Sequence, residues 1–112
     1  MEIEFDKLKA IICLATDKMA TILIQEIAGN EIPISKFSYS YDVLVDREHI
    51  ALVIQYNSQN VLNTTYFYTL TGSPSGAIKI SLSDTKGKEV LSLDFNENYD
   101  FSHAISHYNL HN

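Results

Sequence analysis

The sequence predicts a single α+β domain over residues 1–112, with a long N-terminal helix packed on a five-stranded antiparallel sheet and a short C-terminal helix. Three observations predict this fold class. Apolar residues follow a helical period before Pro33, and the period changes to two after it. The β-rich segments then follow one another too closely for the crossover connections that parallel strands need.

The first segment has the pattern of an amphipathic helix. Apolar residues recur at steps of three and four until Gly29, and Pro33 bars continuation, so we predict a helix over about residues 3–28. Thr16 and Asp17 offer a cap that would divide it into two helices, but the unbroken apolar stripe favours one. The residues expected to be buried against the sheet are Phe5, Leu8, Ile12, Ala15, Met19, Ile22 and Leu23.

Five β-rich segments follow Pro33 and show alternating apolar and polar residues. We predict strands at about residues 37–45, 50–56, 64–71, 77–83 and 89–95. Gly72–Gly76, which also contains proline and serine, is the clearest loop, and Gly87 supplies a positive φ in the turn before the last of these strands. The strands are therefore expected to form a meander.

The C-terminal segment has a helical spacing of apolar residues, namely Phe101, Ala104, Ile105 and Tyr108. On such a helix His103, His107 and His111 would form one stripe, and imidazoles one turn apart can share a zinc ion. The alternative is a solvated polar face near the helix C-terminus, which we favour. We therefore predict no metal ligand.

The charge balance restricts the class of partner. Fourteen acidic residues against eight basic ones give a net charge of −6, and the isoelectric point is near 5.0. Nucleic acid and an anionic membrane would be repelled, whereas a basic protein would be attracted. Cys13 is the only cysteine, and neither a secretory signal nor an apolar run of membrane length is recognisable. The expectation is a cytoplasmic protein with a basic protein partner.

The sequence contains no catalytic fingerprint. It lacks a G-x-S-x-G elbow, a P-loop and a dinucleotide-binding glycine pattern, and it has only four glycines. Asp94, Glu97, Asp100 and His103 leave an acid–base role open, so an enzyme of unknown chemistry is the alternative from another class. We predict a protein that is not an enzyme, with no catalytic residue and no cofactor.

Two acidic segments and a set of tyrosines are the candidate partner-binding residues. The acids are Asp42, Asp46 and Glu48 in the first segment and Asp94, Glu97 and Asp100 in the second. The tyrosines, which alternation places in pairs on common sheet faces, are Tyr39, Tyr41, Tyr66 and Tyr68. Carboxylates without nearby bases attract a cationic surface, and tyrosines supply a less polar centre. The alternative for the acids is an ordinary solvated surface. The alternative for the tyrosines is that they belong to the core or to the solvent-exposed surface of the sheet.

In these general features, over its whole length, the chain resembles small bacterial immunity proteins such as those of contact-dependent growth-inhibition systems. The resemblance implies a protein that inhibits a toxin nuclease domain by occupying the basic cleft that its polyanionic substrate needs. We expect either a monomer or a homodimer. Two other binding proteins fit the same features. One is an acidic secretion chaperone that holds an effector segment, and the other is a phage-encoded inhibitor.

Overall fold

The computed structural model describes residues 4–107, which form one α-helix and a six-stranded antiparallel sheet. The α+β class and the meander are confirmed, because the spatial order of the strands equals their order in the chain. The elements are helix α1 (Phe5–Ala28) and strands β1 (Phe37–Leu44), β2 (His49–Tyr56), β3 (Gln59–Gly72), β4 (Ile78–Ser83), β5 (Glu89–Phe95) and β6 (Phe101–Ser106). Short 3₁₀ turns at Ile34–Lys36 and Val45–Arg47 precede and follow β1.

Helix α1 is continuous, as the unbroken apolar stripe predicts. Thr16 is buried, and its hydroxyl donates to the carbonyl oxygen of Ile12 at 2.7 Å, so it does not cap a second helix. Four of the expected core residues are fully buried, namely Ile12, Ala15, Met19 and Leu23. The prediction that Phe5 is buried is wrong, since its side chain is 62% exposed. Full burial begins only at Ile11, so the first turn lies outside the packed part of the helix.

Strand β3 is the longest strand and joins two offset parts of the sheet. Its first half pairs with β2 and its second half pairs with β4, and Phe67 lies opposite both His49 and Ser83. The strand begins at residue 59, earlier than predicted, because Asn57 and Ser58 adopt positive φ values of 51° and 63° and close a two-residue turn.

Residues 101–106 form strand β6, so the prediction of a C-terminal helix is wrong for this segment. Tyr108 and His111 lie outside the described residues. Ala104 lies opposite Leu93 on β5, and the Phe101 ring packs on Phe95 with centroids 6.0 Å apart. Pairing with β5 satisfies the backbone groups of residues 101–106 that face it, whereas a helix of this length is marginal without docking.

The helix covers one face of the sheet. That face carries nine buried apolar residues of β2, β4 and β5, namely Ile50, Leu52, Ile54, Ile78, Ile80, Leu82, Leu91, Leu93 and Phe95. The Lys18 ammonium lies 4.8 Å from the centre of the Phe101 ring and ties α1 to β6. Within residues 4–107 there is no second helix to cover the other face. We call this other face the open face.

Candidate functional site

The two tyrosines of β1 contact helix α1. The Tyr39 hydroxyl donates to Asp17 Oδ1 at 3.0 Å, and the Tyr41 hydroxyl donates to the carbonyl oxygen of Cys13 at 3.4 Å. Their rings stack with centroids 6.2 Å apart. Tyr39 is 39% exposed and Tyr41 is half-buried, so both lie between the helix and the edge of the sheet rather than on the open face.

The two tyrosines of β3 belong to the core. Tyr66 and Tyr68 are both buried, and the Tyr68 hydroxyl donates to the carbonyl oxygen of Val45 at 3.1 Å. This hydrogen bond attaches the β1–β2 connection to β3. The tyrosines of both strands share the helix-covered face, and the burial of Tyr66 and Tyr68 there removes these two from an exposed centre.

The tyrosine contacts predict that the protein loses stability in alkaline solution. Burial, first, and the nearby Asp17 carboxylate raise the pKa of Tyr41 well above its usual value near 10. Burial, followed by the charges of Glu48 and Asp46, also raises the pKa of Tyr68. The unfolded chain releases these protons at a lower pH than the folded chain does. The raised tyrosine pKa values therefore stabilise the folded chain fully below about pH 10. This part of the free energy of unfolding is lost as the pH rises further.

Denaturant unfolding at several values between about pH 9 and about pH 11 measures this loss. Tyr41→Phe and Tyr68→Phe are each expected to flatten the decline, because phenylalanine has no proton to release. An equally steep decline in the double variant would assign the alkaline sensitivity to other groups.

The first acidic segment lies at the end of β1 and in its connection to β2. Asp42 is on the open face of β1, Asp46 is in the 3₁₀ turn, and Glu48 follows with a positive φ of 57°. All three side chains are exposed. Among residues 4–107 none of these carboxylates has a base within ion-pair distance, Arg47 included. This segment therefore projects uncompensated negative charge.

A row of partly apolar side chains crosses the open face beside these acids. Leu44 lies opposite His49, which in turn lies opposite Phe67 on β3. The His49 and Phe67 rings meet edge-on with centroids 4.4 Å apart, and Leu44 and Phe67 keep 42% and 38% of their surface exposed. We name this combination the acidic corner; it consists of Asp42, Leu44, Asp46, Glu48, His49 and Phe67.

The sequence pattern predicts which residues share a face with Phe67, but it does not predict that Phe67 is exposed. Alternation places Phe67 on the face opposite Tyr66 and Tyr68, so it must lie on the open face once the helix covers the tyrosines. The same alternation is compatible with a helix on either face. The packing of α1 on the sheet therefore decides whether the tyrosines or Phe67 are exposed.

The second acidic segment lies on β5 and in the connection from β5 to β6, beside a cleft of about 420 Å³. Asp94 Oδ2 is 3.0 Å from His103 Nε2, and Lys79 lies directly opposite Asp94 on β4. Glu97 lines the same cleft, and Asp100 is exposed in the connection. The fold thus places His103 and Lys79 beside Asp94, although neither lies near it in the sequence.

His103 and His107, the two tail histidines that the structure describes, contact carboxylates of β5 rather than one another. His107 Nε2 lies 3.1 Å from Glu89 Oε2, in the same manner as His103 with Asp94. Residues four apart on a strand are separated by roughly 13 Å, too far to share an ion as they would on a helix. The described part of the chain contains no group of three side chains arranged to hold a metal, and His111 lies outside it.

Comparisons with known proteins do not assign the chain to a family. No family model matches its sequence, no similar curated protein was found, and no solved structure matches its fold. Within residues 4–107, helix α1 lacks the apolar character that crossing a membrane requires. The function is therefore argued from the site itself.

Proposed function

We propose that the chain is a small binding protein that inhibits a basic protein partner, in the manner of an immunity protein that blocks a toxin nuclease domain. The acidic corner is the observation that carries this proposal. It combines exposed carboxylates without counterions, at the end of β1 and in its connection to β2, with the partly exposed side chains of Leu44 and Phe67 on the paired strands. On this proposal the protein acts in the cytoplasm.

The two parts of the acidic corner would have different effects on binding. Exposed carboxylates accelerate the encounter with a cationic surface but contribute modestly to affinity when they remain solvated. A desolvated aromatic group near the centre of an interface usually contributes more of the binding energy. Phe67 packs on His49, the residue that directly follows the acidic connection, and on this proposal it is the aromatic group that becomes desolvated.

Inhibition follows from competition for one surface. A nuclease binds polyphosphate through lysine and arginine side chains, and its active cleft is therefore basic. Carboxylates bound in that cleft would exclude the phosphates of the substrate by occupying the same donors and by repulsion. The net charge of −6 adds a long-range attraction to the same partner.

Charge reversal at the acidic corner is expected to slow association. The probe is the purified product of the gene adjacent to the one that encodes this chain. Asp46→Lys with Glu48→Lys should reduce the association rate constant by about tenfold at low ionic strength and weaken its salt dependence. The melting temperature should change little, because both side chains are exposed. Stopped-flow binding at two ionic strengths measures the rate.

Glu26→Lys with Glu31→Lys is the matched control. It makes the same change in net charge with exposed acids near the C-terminal end of α1, at the opposite end of β1 from the acidic corner. The proposal predicts a smaller effect for this control. Equal effects of the two charge reversals would assign the attraction to net charge alone, and a partner that keeps its toxic activity when bound would contradict inhibition.

A further inference from the structure

Strand β1 has an unprotected outer edge. It lies at one margin of the sheet, and within residues 4–107 it pairs with β2 alone. All eight of its residues stay in one register, and the strand contains no proline, glycine, lysine or arginine. Proteins usually protect such edges with lysine, proline, a bulge or a covering segment, because the free backbone groups pair readily with another strand. Among the described residues, none of these devices protects β1.

The opposite margin of the sheet is protected. Strand β6 has six residues, and its register with β5 shifts at Asp94 and Phe95. Histidine side chains also tie the strand and the residue that follows it to carboxylates of β5. Of the two edge strands in the described part of the chain, β1 is therefore the one that offers a long, regular edge to a second strand.

We propose that two copies of this chain pair through their β1 edges, antiparallel about a two-fold axis that passes beside Ser40. The two six-stranded sheets then form one continuous sheet. In this register Ser40 lies opposite its own counterpart, and the remaining pairs are Tyr39 with Tyr41, Ser38 with Asp42 and Phe37 with Val43.

This register is self-complementary on both faces. On the open face, a serine hydroxyl meets the Asp42 carboxylate of the other copy, and no two charges of the same sign are opposed. On the helix-covered face, each Tyr39 ring meets Tyr41 of the other copy and extends the stack that already exists within one chain. A two-fold axis beside Asp42 would instead place the two Asp42 carboxylates opposite each other. An axis beside Tyr41 would pair the polar side chain of Ser38 with the apolar side chain of Leu44.

The pairing differs from the proposed binding of a basic partner and does not depend on it. Of the acidic corner, Asp42 lies within the paired segment Phe37–Val43 and would face Ser38 of the other copy, whereas Asp46, Glu48 and Phe67 lie outside it. A dimer formed in this way would still present these three side chains on each copy. The isolated chain is sufficient to test the pairing, so its failure leaves the proposed function untouched.

Sedimentation equilibrium of the isolated chain, at concentrations up to ~0.5 mM, is expected to show association from the 12.7-kDa monomer to a dimer. Ser38→Lys should lower the dimer dissociation constant by about 2- to 30-fold, since it creates two symmetric lysine–Asp42 pairs. Ser40→Lys should raise the constant by at least about tenfold, because two lysines then face each other across the axis.

Thr69→Lys is the matched control, as it adds the same charge at an exposed open-face position of β3. It should change the dissociation constant less than either β1 variant does. A second measurement uses oxidative cross-linking in a Cys13→Ser background. Ser40→Cys should form a disulfide-linked dimer, whereas Ser38→Cys, which faces Asp42, should not.

Three results would overturn the proposal. The first is a monomer at all concentrations for both the wild type and Ser38→Lys. The second is tighter association of Ser40→Lys, which would indicate a different register. The third is equal cross-linking of the two cysteine variants.

Discussion

Leu23→Ala is expected to lower the free energy of unfolding by about 2–5 kcal/mol, as judged by equilibrium denaturation in urea. The Leu23 side chain is fully buried between α1 and the sheet, and truncation leaves a cavity that the strands cannot close without disturbing their ladder. Total stability for a domain of this size is about 5–15 kcal/mol. The change would therefore remove a large part of it.

Phe5→Ala is the matched control on the same helix. Because Phe5 is 62% exposed, we expect a loss of less than about 0.5 kcal/mol. A loss below about 1 kcal/mol for Leu23→Ala, or equal losses for the two variants, would contradict the packing of α1 on the sheet.

Phe67→Ala is expected to accelerate dissociation from the basic partner by about 30-fold or more. This result rests on the proposed function, in which Phe67 is the less polar centre of the acidic corner. Truncation removes contact area that would be desolvated in the complex but leaves every carboxylate in place. The association rate constant should therefore change little, and surface-binding kinetics can separate the two constants.

Thr69→Ala, two residues further along the same face of β3, is the control and should leave the dissociation rate within about twofold. A melting curve of each variant separates a binding effect from unfolding. An unchanged dissociation rate in folded Phe67→Ala would mean that the partner contacts a different surface. The charge-reversed variant would show the complementary behaviour, with slower association and little change in dissociation.

The local patterns of the sequence were sufficient for most of the secondary structure. The apolar stripe before Gly29 specified one continuous helix, and period-two alternation located β1, β2, β4 and β5 within one residue of their observed bounds. These patterns work because a helix and a strand each bury one face, and the face repeats at the period of the element. The turn at Gly87 was equally local, since it needs a positive φ, which is 84° here.

The tail and the candidate site depended on contacts between distant residues. Residues 101–106 have apolar spacing that is compatible with a helix, and only the free edge of β5 made them a strand. Asp94 has no base nearby in the sequence, but strand pairing brings Lys79 and His103 beside it.

The sequence by itself determined the fold class, the acidic charge and the pairs of residues that share a face. The tertiary structure decided which face the helix covers, and therefore that Tyr66 and Tyr68 are buried while Phe67 remains partly exposed. The physical reason is that alternation defines two faces of a strand without ranking them. The packing of α1 on all the strands together decides which face is covered. The pattern of a single strand does not contain this information.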